Sequence, residues 1–176
     1  MSIKIPQKPK RWLPDKQARK GQLREWKMKC FQYRWGGGKP EKLEKCIDDF
    51  LNTYIDVARD LDFGGEPIYE NMVKLKAYNY RSMCRFKEAL PIFLAGMKKD
   101  PHNYHWVEDC LDTYMAMNEG RKAIDLLNKQ PVEFIATEAH ESANYIVRLI
   151  EENSILKPYL KDEIWEWACD NYVNED

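Results

Sequence analysis

Apolar residues recur every three or four positions along most of the chain, and this spacing predicts helices rather than strands. Three prolines within residues 1–14 first predict an extended arm. A helix is expected after Asp15, a residue suited to N-capping, and it ends at Gly36-Gly37-Gly38, where glycine accepts backbone angles that a helix does not use. Its apolar residues share one face, which we call the seam: Leu23, Trp26, Cys30 and Tyr33.

A second helix is predicted from Pro40, because proline favours the first turn of a helix. Its apolar face is wide, runs from Leu43 to Leu61 and is expected to end at Gly64-Gly65. Pro67 then begins a third helix.

From this third helix onward the chain repeats itself with a period of 34 residues. Six positions recur at that distance: Val73, Tyr80, Met83, Ala89, Leu90 and Phe93 correspond to Val107, Tyr114, Met117, Ala123, Ile124 and Leu127. Each copy contains two predicted helices. The turns between them are expected at Cys84-Arg85 and at Asn118-Glu119-Gly120.

The period and its fixed positions resemble the tetratricopeptide repeat family over residues 68–131. The matching residues of the first copy are small, aromatic or proline: Ala77, Tyr80, Ala89, Phe93 and Pro101, with Gly96 as a further small contact. The second copy keeps Tyr114, Ala123 and Leu127. The resemblance departs at Val73, where the family has an aromatic residue.

The resemblance implies an all-α fold, a short α-solenoid of helical hairpins, because one hairpin cannot cover its own apolar face and needs stacked neighbours. We expect a basic N-terminal arm and helix over residues 1–39 and a helical repeat domain over residues 40–176. The predicted parts of that domain are two repeat units and two capping helices: 70–103, 104–131, 132–152 and 158–174, the last beginning at Pro158.

In this family the first helix of each unit lines a concave groove, so the resemblance implies a partner-binding surface. The matching positions are Asn71, Lys74, Tyr78 and Arg81 in the first unit, and His105, Glu108, Asp112 and Met115 in the second. Two interpretations stay open. Lys74 and Arg81 bind a carboxylate-bearing peptide, or they pair with Glu108 and Asp112 across the repeat junction.

Charge is distributed unevenly, although the whole chain carries a formal net charge of only −1. Residues 1–39 hold 12 Lys or Arg and two acids, a net of +10, and the rest of the chain carries −11. Five cations of the first predicted helix form a stripe beside the seam: Lys16, Lys20, Arg24, Lys27 and Arg34. We expect the seam to pack on the body and the stripe to face a polyanion or another partner.

The identity of that partner stays open among three classes. Aromatic residues lie among the cations of the arm, namely Trp12, Trp26, Phe31, Tyr33 and Trp35. Such a mixture suits phosphate contact with base stacking in RNA or DNA. It also suits docking on an acidic protein, including this chain's own acidic body, and less well a membrane surface.

The sequence shows little that favours catalysis. It contains neither G-x-S-x-G nor H-E-x-x-H, so we expect no enzyme, no catalytic residue and no cofactor. Gly36-Gly37-Gly38-Lys39 lacks the spacing of a phosphate-binding loop, and a hinge is the favoured interpretation. His102 and His105 have metal-ligand spacing, but they fall at a predicted turn, and we expect no metal site.

Composition favours a reducing compartment. The five cysteines are odd in number and have no metal or redox spacing, and no segment approaches the about 20 apolar residues of a membrane span. We therefore expect a cytoplasmic protein, with an organellar location as the alternative because the first residues are basic.

Together these features predict a non-catalytic protein–protein interaction adaptor or assembly subunit, which binds through the groove and the basic arm. The alternative is a nucleic-acid-associated component of a ribonucleoprotein or viral particle, whose arm contacts phosphates.

Overall fold

All regular secondary structure in the part of the chain that the structure describes is helical. This computed structural model covers the backbone of residues 4–173, with every side chain in that range except those of residues 138–140. Residues 1–3 of the predicted arm and residue 174 of the predicted last helix lie outside it. No strand occurs among residues 4–173, which confirms the all-α prediction.

The helices fall into two compact units, one up to Ile92 and one from Phe93 onward. The first contains the arm and the helices α1 (Lys16–Trp35), α2 (Pro40–Ala58), α3 (Ile68–Ser82) and the start of α4 (Phe86–Lys99). The second contains the rest of α4, then α5 (His105–Ala116), α6 (Gly120–Leu127), α7 (Val132–Ile135), a 3-10 turn (Ala136–Glu138), α8 (Ala139–Glu152), a 3-10 helix (Ser154–Tyr159) and α9 (Asp162–Asn171).

The predicted ends of α1 are confirmed by the groups that cap them. Asp15 accepts a hydrogen bond from the backbone N–H of Ala18 at 2.8 Å, which satisfies one unpaired donor of the first turn. Gly36 closes the last turn by donating to the carbonyl oxygen of Gln32 at 2.9 Å, and Gly37 follows with a φ of +82°. Left-handed angles of this kind favour glycine.

In the first unit α1 and α3 both pack on α2, and α2 and α3 run antiparallel. The start of α2 meets the end of α3, where the Asn79 amide donates to the Pro40 carbonyl at 2.9 Å, and the Tyr54 and Tyr69 rings meet 5.4 Å apart at the opposite ends. The seam is buried in the shared core, so the charge boundary after residue 39 does not coincide with a division in packing. The core residues are Leu23, Trp26, Cys30, Tyr33, Leu43, Cys46, Ile47, Phe50, Ile68, Met72 and Leu75.

Two turns of the chain have the same backbone geometry at a distance of 34 residues. Cys84 lies between α3 and α4 with a φ of +56°, and Asn118 lies between α5 and α6 with a φ of +57°. The residue after each donates to a tyrosine carbonyl five positions back: Arg85 to Tyr80 at 2.9 Å, and Glu119 to Tyr114 at 2.8 Å. Both turns lie where the sequence period predicts them.

The second unit is held together by a close helix contact and by aromatic packing. Trp106 of α5 packs over Gly96 of α4, where an added Cβ would lie 2.5 Å from the indole ring. Tyr104 and Phe134 meet edge to face at 5.7 Å. A small residue at Gly96 is therefore required for α4 and α5 to approach this closely.

The structure differs from the predicted helices in three places. The second helix ends at Ala58 instead of at the glycines. Between the two points Asp62 accepts from the N–H of Gly64 at 2.8 Å and holds a local turn. The predicted helix over 132–152 is interrupted at Ala136–Glu138, next to the Thr137 hydroxyl, which donates to the carbonyl of Phe134 at 2.7 Å.

The third difference is the last helix, which begins at Asp162 and not at Pro158. The side chain of Asn128 donates to the Tyr159 carbonyl at 2.8 Å and accepts from the Lys161 N–H at 3.0 Å. These two hydrogen bonds hold the intervening segment in an extended form at Leu160, which delays the helix.

Candidate anion-binding surface

The basic arm is fastened to the first unit along most of its described length. Pro6 is buried, and its carbonyl accepts a hydrogen bond from the Cys46 thiol at 3.2 Å. The Gln22 side chain accepts from the N–H of Leu13 at 3.0 Å and donates to the carbonyl of Arg11 at 2.9 Å. Because the backbone is held at these points, the arm presents its cations from a defined position.

The cations of the arm point outward. The exposed cations of the arm are Lys4, Lys8, Lys10 and Arg11. Lys16, the first residue of the stripe, is exposed as well. Among the apolar residues of the arm, Trp12 packs partly buried against the core, whereas Ile5 and Leu13 are exposed.

Three members of the predicted stripe already have contacts within the first unit. Arg24 and Lys27 both contact the carboxylate of Glu66, the latter at 2.9 Å. Lys20 lies with its Nζ 5.3 Å from the centre of the Phe63 ring. Burial opposes the ionisation of Glu66, but the hydrogen bonds from Lys27 and Arg24 outweigh it and leave the pKa of this carboxyl below its ordinary value.

Arg34, the last stripe residue, is half-buried, and its guanidinium lies 5.1 Å from the centre of the Trp35 ring. Its Nε is buried without a hydrogen-bond partner among the described residues. The stripe is therefore partly neutralised, and Lys16 is its most accessible end.

The aromatic residues among these cations are mostly part of the core. Trp26 and Tyr33 are 2% and 4% exposed, and Trp12 and Phe31 pack partly buried against the core cluster. Trp35 differs, with 63% of its surface exposed. The aromatic residues that alternate with these cations in the sequence therefore do not form a row of exposed rings in the structure.

A cavity of about 910 Å³, which we call the lysine cleft, opens on the other side of the seam. The arm, the end of α1 and the start of α2 surround it. Four lysines line it, and no carboxylate does so among the described residues: Lys4, Lys29, Lys39 and Lys42. The sequence pattern does not group these four lysines, because Lys4 meets the others only through the path of the arm.

The two basic regions lie on opposite flanks of the seam. With 3.6 residues per turn, Lys16, Lys20 and Lys27 fall on one side of the seam residues. Lys29 falls on the other side, where it also pairs with Glu25 at 2.6 Å. The stripe and the lysine cleft are therefore separate surfaces of one helix.

The glycine turn beside the lysine cleft uses its own backbone donors. The N–H of Gly38 donates to the Tyr33 carbonyl at 2.8 Å, and that of Lys39 to the Tyr33 hydroxyl at 3.2 Å. Gly36 and Gly37 donate to carbonyls of the last turn of α1. Recognition in this cavity thus depends on side chains, unlike that of a phosphate-binding loop.

The predicted groove residues of the first repeat share one face of α3. Lys74 lies with its Nζ 5.6 Å from the centre of the Tyr78 ring. Asn71 and Arg81 are half-buried at positions one turn away on either side.

The predicted groove residues of the second repeat share one face of α5. His105 Nδ1 lies 3.1 Å from a carboxylate oxygen of Glu108, and Asp112 accepts from the Tyr145 hydroxyl at 2.9 Å. Burial raises the pKa of Glu108, against the lowering effect of its hydrogen bond with His105.

Two further features complete the description of candidate sites. Among the described side chains, which within residues 4–173 exclude those of residues 138–140, His, Cys, Asp and Glu do not gather in groups of three or more that would hold a metal ion. Over the same residues, no helix has the length and apolar character needed to cross a membrane.

A scan of protein-family models, a search of curated proteins and a search of solved structures each returned no match to this chain.

Proposed function

We propose that this protein is a non-catalytic binding module that captures an acidic protein partner through the arm of its first unit. The observation that carries the proposal is the fastening of the arm by Gln22 and Cys46, which leaves Lys8, Lys10 and Arg11 exposed. A cationic segment held in place loses less conformational entropy on binding than a free one. Its exposed charges also speed encounter with an acidic surface.

Burial of the aromatic residues favours a protein partner over a nucleic acid. Binding of single strands commonly relies on bases stacked on several open rings. Trp26 and Tyr33 are in the core and unavailable for stacking, so Trp35 alone among the arm's rings is mostly exposed in the described residues. Recognition by the arm would then depend on charge.

The adaptor role also draws support from the two equivalent turns at Cys84 and Asn118. Their shared backbone geometry, 34 residues apart, fits the proposed tetratricopeptide-like repeat. In such a repeat the face of α3 that carries Lys74, and separately the face of α5 that carries Glu108, would each offer a further contact surface for a partner.

The proposal is tested by reversing the charge of the arm. We expect Lys8→Glu/Lys10→Glu to weaken binding to poly-glutamate at least tenfold at low salt, because two attractive contacts become repulsive. The control, Lys87→Glu/Lys98→Glu, makes the same charge change at exposed positions of α4 and should retain the affinity. Fluorescence anisotropy with labelled poly-glutamate measures both.

Affinity capture from the native source, with and without nuclease, decides the class of partner. The proposal would be supported by a protein that the wild-type chain still captures after nuclease treatment and that the Lys8→Glu/Lys10→Glu variant does not capture. Loss of all captured material on nuclease treatment, together with tighter binding to single-stranded RNA than to poly-glutamate, would overturn it in favour of a nucleic acid.

A further inference from the structure

The exposed arm residues Lys8, Lys10 and Arg11 do not line the lysine cleft, and its chemistry is independent of the proposed function. We propose that it binds a small ligand that carries two or more phosphate groups. Such a ligand would occupy the space between residues 4–7 of the arm, the last turn of α1 and the first turn of α2.

The charged side chains that line the lysine cleft among the described residues are all positive. Lys4, Lys29, Lys39 and Lys42 come from three separate segments and converge on one cavity. Lys29 pairs with Glu25, whose side chain is 65% exposed and does not line the cavity. Four ammonium groups around one space repel each other, so a multiply charged anion between them relieves that repulsion.

The size of the lysine cleft argues for an organic ligand over a single ion. Its volume of about 910 Å³ lies near the upper end of the roughly 300–1,000 Å³ that is common for small-molecule sites. Ile5, Pro6 and Tyr33 add apolar surface to its wall, against which a carbon framework can pack.

The kind of cation favours phosphate over carboxylate. Every cation that lines the cavity in the described residues is a lysine, with no guanidinium among them. A guanidinium matches both carboxylates and phosphates with two parallel hydrogen bonds, whereas an ammonium acts as a point charge. The attraction of the lysines therefore grows with the charge of the ligand, which is greater for a phosphate group than for a carboxylate. Gln7 and Gln32 add amide donors to the same wall.

The start of α2 adds to the attraction. Lys39 is the N-cap residue, and Lys42 lies within the first turn, so both project from the end of the helix where the peptide dipoles are positive. Since Pro40 occupies the first helical position and the glycine turn uses its own N–H groups, the lysine side chains supply the direct contacts.

The experiment is calorimetric titration of the full chain with inorganic pyrophosphate and tripolyphosphate, compared with citrate. We expect saturable binding of one equivalent of the phosphates, at least tenfold tighter than that of citrate. Lys39→Gln/Lys42→Gln should weaken phosphate binding at least tenfold. The control Lys45→Gln/Lys87→Gln removes the same charge from the same unit, with Lys45 less than one turn beyond Lys42, and should retain the affinity.

Chemical shifts of the unaltered protein give a readout that does not depend on any substitution. Amide chemical shifts of Gly36, Gly37 and Gly38 in the unaltered protein should move on titration with pyrophosphate, because these residues line the cavity. Unmoved shifts, equal affinity for citrate, or an equal loss in the control variant would each overturn the site. Phosphate binding without poly-glutamate binding would support the lysine cleft and reject the proposed function, and the reverse result would reject the lysine cleft alone.

Discussion

At the scale of single residues, two glycines of the first unit have different roles. Gly38 lies under the Tyr33 ring, where an added Cβ would stand 2.2 Å from Cε1 and 2.5 Å from the backbone oxygen of the same residue. Gly21 lies within α1 with no atom within 4 Å of the position that a Cβ would take. The first glycine is required by packing, and the second only weakens its helix.

We expect Gly38→Ala to lower the free energy of unfolding by about 1–3 kcal/mol, because the added methyl group displaces the Tyr33 ring and the turn beside the lysine cleft. Gly21→Ala serves as the matched control and should raise it by about 0.5–1 kcal/mol, through the higher helix propensity of alanine. Urea denaturation followed by circular dichroism measures both. Equal effects of the two substitutions would contradict the packing role of Gly38.

At the scale of elements, helix ends that depend on residues nearby in the sequence were predicted correctly, and a helix start that depends on a distant residue was not. The ends of α1 depend on Asp15 and Gly37, which adjoin the helix, and both were predicted. The start of α9 depends on Asn128, which is 33 residues before Lys161 and joins it only in the folded chain. A local proline signal at Pro158 therefore predicted the wrong start.

The contact between α1 and the loop before α3 is expected to depend on pH through Glu66. Its pKa is lowered in the folded chain, so its stabilising effect is complete above the ordinary pKa of a glutamate and is lost as the pH falls through the folded value. We expect Glu66→Gln to cost about 1 kcal/mol at pH 7, the upper range for a partly exposed ion pair.

The measurement compares the free energy of unfolding of wild type and Glu66→Gln from pH 7 to pH 3. The difference between the two proteins should shrink below about pH 4.5, where the free carboxyl of the unfolded chain takes up its proton. Glu41→Gln, an exposed acid of the first turn of α2, is the control for a general charge effect. A constant difference across this range would show that Glu66 acts through packing alone.

At the scale of the whole chain, composition revealed the basic segment but not its arrangement. The net of +10 over residues 1–39 predicted an anion-binding region, and the periodic seam predicted that α1 docks. The lysine cleft was not predictable in the same way. Lys4 and Lys39 are far apart in sequence and share a cavity because the arm folds back onto α2, where the Cys46 thiol donates to the carbonyl of Pro6.

The hydrogen bond between Cys46 and Pro6 makes a thiol report how often the arm detaches. Cys46 is 6% exposed beneath the arm, Cys110 is fully buried in the second unit, and Cys84 and Cys169 are exposed. A thiol reagent should therefore modify Cys84 and Cys169 soon after it is added, and Cys46 only when the arm opens. Local opening costs less free energy than global unfolding, so Cys46 should react faster than Cys110.

Gln22→Ala removes both hydrogen bonds that tie Leu13 and Arg11 to α1. We expect it to accelerate the modification of Cys46 about fivefold to tenfold, the rate equivalent of about 1 kcal/mol, while Cys110 keeps its rate. Peptide mass spectrometry after timed quenching gives each rate separately. If Cys46 and Cys110 instead react in step, in both proteins, the arm leaves the first unit only when the chain unfolds, and its cations are a permanent part of the surface.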